Sequence, residues 1–203
     1  MIPGNSQILT CPFCGGKKEI LSLISGNTFG AELWSDNKRI ARMMPEISFV
    51  QKCPHCGKYF IKSRQEARYA EDSHSFDTGM LTFPEWKEAF TQLSAEGFLN
   101  QKEESYVRMM LHQAYNDFYF RSQDRKAILD EDRELFHDNA LWLIQNLITD
   151  AVMKAEFYRQ IGEMEAARRT LDAVVPKNDF VEDLVSSIRE RLDANDSEVF
   201  QIH

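Results

Sequence analysis

Cysteine is scarce in this chain of 203 residues, which has four, against 14 Phe and 8 Met. Long apolar runs are missing as well. No stretch approaches the roughly 18 to 20 residues that a bilayer-spanning helix needs, so no membrane association is expected. The first seven residues, Met1 to Gln7, carry neither a basic start nor an apolar stretch of the kind that directs secretion, and the expected compartment is the cytoplasm. A reducing compartment favours metal binding over disulfides for closely spaced cysteines. Catalytic signatures are absent too: there is no G-x-G-x-x-G, P-loop, H-E-x-x-H or G-x-S-x-G motif. The five histidines, at 55, 74, 112, 137 and 203, are dispersed. His112 falls on an expected helix and could serve as a base, though a histidine without chemistry is the commoner case. The balance leans away from an enzyme, and no catalytic or organic-cofactor residue is assigned.

The four cysteines are concentrated in two similar stretches, Cys11-Pro12-Phe13-Cys14-Gly15 and Cys53-Pro54-His55-Cys56-Gly57. In each, a tight turn brings two thiolates toward one metal ion, and the second turn completes a tetrahedral shell. Cys11, Cys14, Cys53 and Cys56 are therefore expected to hold a structural Zn²⁺. The competing reading is a redox dithiol, which needs a helix directly after the motif. Here the residues that follow, Tyr59-Phe60-Ile61 and Ile20 to Ile24, are strand formers instead. A second C-P-x-C-G would also be surplus to a dithiol enzyme. His55 lies between two ligands and is read as a bystander, because four thiolates close the shell. The glycine after each second cysteine supplies the positive φ that the turn demands.

Composition is that of a globular protein, 43% hydrophobic and 28% charged, with a net charge of −8. The charge is uneven along the chain. Residues 1–65 hold nine Lys/Arg against four Asp/Glu, leaving −13 for the remainder. A zinc ion on four thiolates would lower the N-terminal value by a further two charges. The basic residues, among them Lys17, Lys18, Lys38, Arg39, Arg42, Lys52, Lys58 and Lys62, admit nucleic acid as a partner, but the acidic remainder disfavours it.

Between the knuckles, strands are expected at Ile20–Ile24, Phe29–Trp34, Ile40–Met44 and Ile47–Val50, with turns at Gly26-Asn27 and Ser35–Lys38. Trp34, Phe29, Phe49, Tyr59 and Phe60 are the expected apolar filling of this small sheet. The segment from Asn27 to Asp36 reads either as a hairpin or as a binding loop, and a small-molecule site at Trp34-Ser35-Asp36 would require a deep pocket there. Residues 63–70 read as a short helix and 66–80 as a linker in which Asp72, His74 and Asp77 fall together by coincidence. From residue 81 the pattern is helical. Thr82 and Glu85 stand at capping-box spacing ahead of Trp86, Ala89, Phe90 and Leu93. A second helix is expected over 102–121. A third stretch over 131–161 is either one helix or two parted near Thr149-Asp150. Two more helices follow, over 164–175 and from Asp179 onward, and the tail reads as frayed.

The segment Ala155 to Ala173 resembles a tetratricopeptide repeat, with Tyr158, Gly162, Ala167 and Leu171 at that repeat's spacing in a single copy. The chain as a whole resembles a group of uncharacterised bacterial proteins that pair a C-P-x-C-G zinc ribbon with a tetratricopeptide-like helical tail. Cys11 to Gly15, Gly26-Asn27-Thr28-Phe29-Gly30, Trp34-Ser35-Asp36 and Cys53 to Gly57 carry that likeness, which implies an architecture and no activity. The expected fold is α+β: a zinc ribbon over 1–65, a linker over 66–80, an all-α helical domain over 81–195 and a flexible tail over 196–203. The leading functional expectation is an interaction module or adaptor whose helical domain binds a protein partner. Nucleic-acid binding through the ribbon is the alternative.

Overall fold

The computed structural model describes residues 1–98 and 100–202. Short strands come first: β1 (Ile2–Pro3), β2 (Gln7–Thr10), β3 (Lys17–Ile20), β4 (Leu23–Ser25), β5 (Glu32–Trp34), β6 (Arg39–Ile40), β7 (Val50–Lys52), β8 (Tyr59–Ile61) and β9 (Arg68–Tyr69). Helices follow: α1 (Phe83–Glu96), α2 (Gln101–Asn116), α3 (Asp130–Asn146), α4 (Ala151–Gln160), α5 (Met164–Asp172) and α6 (Asp179–Asp193). A last strand, β10 (Gln201–Ile202), ends the described chain. The fold is α+β. The chain divides into two compact units, one of residues 1–32 and 39–100, the other of residues 33–38 and 101–203. Among the described residues, no helix is long and apolar enough to cross a membrane.

The first unit is built from three small antiparallel sheets, β1–β4, β3–β2–β9 and β7–β8. Its centre packs Leu9, Ile20, Phe60 and the sulfur-bearing Cys11 and Cys53, with Ile47 alongside. Of the expected filling, only Tyr59 and Phe60 are buried; Phe29 is 88% and Phe49 48% exposed, and Trp34 belongs to the other unit. The reason is register. Leu9 and Ile20 face inward from the paired strands β2 and β3, whereas Phe29 sits in a turn where the Asn27 side chain caps its N–H. Residues 62–64 form a single 3₁₀ turn rather than part of a helix. The segment expected as a linker is stitched along this unit. β9 pairs with β2, Ser6 and Leu21 donate their N–H groups to Ser73 and Asp77, and Ser48 donates to Thr78.

Helix α1 belongs to this unit as well. Thr82 and Glu85 form the reciprocal capping box, and Trp86, Ala89 and Leu93 turn inward. Gln92 bonds both backbone groups of Tyr59, at 3.0 and 2.8 Å, so the helix continues the hydrogen bonding of β8. Lys52 on β7 pairs with Glu85 at 3.1 Å.

The second unit is a helical array closed by strand β5 pairing with β10. The stretch expected as one helix or two is two: α3 ends at Asn146, and Asp150 caps α4 by accepting the N–H of Met153. Helices α4 and α5 form a hairpin. Gly162, at φ +82°, lets Gly162 and Glu163 donate back to Arg159 and Tyr158, the pattern of a Schellman stop. Ala155, Ala167, Leu171, Ile188 and Leu192 fill the seam between α4, α5 and α6. The tail expected to be frayed is part of this core: Val199 and Phe200 are buried, and Arg191 lies over the Phe200 ring.

Candidate metal centre

The two knuckles repeat one local design. Gly15 donates to the carbonyl of Cys11 and Gly57 to that of Cys53, at 2.9 and 3.0 Å. Each turn is closed by a second bond, Cys11 N–H to Gly16 and Cys53 N–H to Lys58. Gly15 and Gly57 take φ of +71° and +74°, where a Cβ would be strained. The fold back aims two N–H groups at sulfur, from Gly16 to Cys14 and from His55 to Cys53, both at 3.4 Å.

These turns bring the four sulfurs within 4.8 Å of one another. Cys11 and Cys56 are 3.7 Å apart, and Cys14 and Cys53 are 3.6 Å apart. A tetrahedral ion with bonds of about 2.3 Å sets its sulfurs about 3.8 Å from each other, so the donor set has the spacing and chemistry for a metal ion such as zinc. The sulfurs differ in their readiness to ionise. Burial opposes the Cys53 thiolate, but the N–H groups of Cys56 and His55 and the neighbouring thiols prevail and bring the thiol down to about 6. Cys14 is pushed up to about 12: the Gly16 N–H favours its thiolate, but desolvation and the three other sulfurs override it. Burial raises Cys11. Cys53 is thus the more readily ionised sulfur, and a divalent cation held among the four would favour the thiolate form of Cys11 and Cys14 by direct attraction.

His55 is more than a spacer. Its Nε2 lies 3.1 Å from the carbonyl of Lys17 behind the opposite knuckle, and its ring fills the space where a Cβ on Gly16 would stand. Phe13, at the matching position of the first motif, receives Lys58 over its ring at 4.6 Å. Each knuckle therefore braces the other through its third residue.

The other positions singled out in the sequence do not form sites. Asp77 pairs with Lys18 at 3.2 Å and caps Gly79, while His74 bonds the carbonyl of Gly4. Among the described residues, the four cysteines are the one group of His, Cys, Asp and Glu placed to share a metal. The loop at Trp34-Ser35-Asp36 is neither an open pocket nor a free hairpin tip, since Ser35 and Asp36 are buried. Asp36 accepts both terminal nitrogens of Arg121, at 2.8 and 2.7 Å, and the amide of Asn116 at 2.9 Å. His112 is no surface base. It is fully buried between Phe136 and Phe157, with centroids 4.4 and 4.3 Å away, and burial lowers it to about 3. Its Nε2 meets the Gln160 carbonyl oxygen at 2.9 Å.

What the sequence did not disclose is the buried polar chain around that histidine. Gln160 links His112 and Asn116 to Glu156, and Glu156 holds Arg159 in a pair at 2.6 Å with both side chains almost fully enclosed. Arg159 also donates to the carbonyls of Asp196 and Glu198. Comparison of the chain with protein-family models, curated proteins and solved structures finds no match.

Proposed function

We propose that this chain is a zinc-binding protein without catalytic activity, in which Cys11, Cys14, Cys53 and Cys56 hold a structural Zn²⁺ and the helical unit serves as an interaction module for a protein partner. The observation that carries the first half is the approach of four sulfurs from two turns to within 4.8 Å. A shell of four thiolates leaves no open coordination position for a substrate or a nucleophilic water, which is the property of a structural centre. The apolar cluster around the sulfurs is small, Leu9, Ile20 and Phe60 with Ile47 alongside, and a centre of that size leans on a metal for its stability. The interaction half is supported by the α4–α5 hairpin with its Schellman turn, a packing unit that elsewhere stacks into binding surfaces.

Metal analysis of the purified protein tests the first half and should return one zinc per chain. A strong chelator should then melt the first unit and leave the far-ultraviolet helical signal largely intact. A folded, metal-free first unit would refute it. Pull-down from the host with the full chain tests the second half, and the absence of any saturable protein partner counts against it.

A further inference from the structure

We infer that the helical unit recognises the C-terminal carboxylate of a partner chain ending in an aromatic or large aliphatic residue, in a cleft with an aromatic floor and Arg133 as the anchor. The inference rests on the reading of that unit as an interaction module and names the site and the chemistry. The cleft encloses about 720 Å³ and lies wholly within the helical unit, between α2, α3 and the turn after α4. Pockets of roughly 300–1,000 Å³ are the usual size for a ligand.

Its floor is aromatic. Tyr115 and Phe136 line it and belong to a continuous stack of four rings, Tyr115, Phe136, His112 and Phe157, with successive centroids 3.9, 4.4 and 4.3 Å apart. Rings fixed from behind in this way offer a preformed face to an entering side chain.

Charge at the rim selects what accompanies that side chain. Seven of the nine arginines in the helical unit are ion-paired. Arg133 lines the cleft, is exposed, and has no carboxylate partner among the described residues. His137, the other basic group lining it, stands between Asp138 at 3.6 Å and Glu163 at 3.5 Å. Arg133 is thus the cation of the cleft that makes no ion pair among the described residues, with a guanidinium suited to two parallel bonds to a carboxylate. Glu134 and Asp138 also face this space and repel any ligand carrying several negative charges. A terminal aromatic residue fits both demands, because it presents one ring and one carboxylate from the same Cα.

Binding is measured by amide chemical shifts on the full zinc-loaded protein, with acetyl-Gly-Gly-Phe, its C-terminal amide and N-acetyl-phenylalanine as probes. The expected result is a shift pattern around Tyr115, Phe136 and Gly162, with the free-acid peptide binding at least fivefold more tightly than its amide. Arg133→Gln should erase that preference and Arg133→Lys retain part of it, while Arg169→Gln, at an exposed arginine outside the cleft, should leave it unchanged. Equal binding of acid and amide, or shifts centred elsewhere, overturns the proposal. If N-acetyl-phenylalanine binds and the two added glycines weaken it, the cleft is a site for a small aromatic acid and the partner-terminus assignment falls. Failure of these probes alongside a saturable partner in the pull-down would discard the cleft and leave the interaction reading standing.

Discussion

Gly16 shows how tightly the two knuckles are joined. A Cβ there would lie 2.3 Å from Cδ2 of His55, so Gly16→Ala must displace the imidazole and break its bond to Lys17. The expected cost to the zinc-loaded first unit is about 1–3 kcal/mol, the usual range for overpacking. In the His55→Ala background the same substitution should cost much less, and equal costs in both backgrounds would separate the two residues. The gathering of the four cysteines was legible in the sequence because each pair sits in one short turn motif. The bracing by His55 and Phe13 was not, since it depends on how one turn faces the other. His112 supports a second prediction. Its folded value near 3 lies below the unfolded value of 6.5, so the unfolded chain takes up a proton first as the pH falls. Its contribution is complete above pH 6.5 and is lost toward pH 3. Between pH 7.5 and 5 this amounts to about 2 kcal/mol. Denaturant titrations should show that slope, and His112→Phe, which keeps a ring between Phe136 and Phe157, should remove most of it.

Strands of two or three residues explain most of what the sequence left hidden. β9, β10 and the 33–38 segment are too short to show a period of two, and their partners lie far away in sequence, as Gln201 opposite Trp34 illustrates. Polar composition then made residues 66–80 resemble a linker and 196–203 a loose end. The long helices were easier to read, because stripes such as Trp86, Ala89 and Leu93 repeat every turn. The break before α4 stayed open in the sequence between one helix and two parted near Thr149-Asp150, and the Asp150 cap on Met153 decides for two. The packing of the tail is directly testable. Phe200 is 7% exposed and lies beneath the guanidinium groups of Arg159 and Arg191, at 5.4 and 4.3 Å. Phe200→Ala should destabilise the helical unit by about 3–5 kcal/mol. A loss below about 1 kcal/mol in chemical denaturation would mean that the tail is not part of the core.

The division of the chain in space also redistributes its charge. Counted along the sequence, the N-terminal 65 residues are basic; counted by compact unit, the first unit holds ten Lys/Arg and ten Asp/Glu, and the second carries the full −8. A zinc ion on four thiolates would make the first unit net negative. Little electrostatic drive toward nucleic acid remains, and titration with an oligonucleotide at low salt should give only weak binding. The segment 33–38 has a larger consequence for stability. It supplies the helical unit with Asp36 for Arg121 and Asn116, with the carbonyl that Gln113 bonds, and with the strand that receives β10. A fragment spanning 101–203 loses all of these at once and leaves Arg121, whose side chain is 6% exposed, without its main counter-charge. Breaking a buried pair by removing one partner costs about 3–5 kcal/mol, a large share of the stability of a domain this size. The fragment should therefore show poor amide dispersion and a broad thermal transition, although its helical sequence is complete. Asp36→Asn in the full chain should destabilise the same unit by a smaller amount, since the amide keeps one acceptor for the guanidinium. A sharply folded 101–203 fragment with the melting temperature of the intact protein would show that residues 33–38 merely rest against the helices.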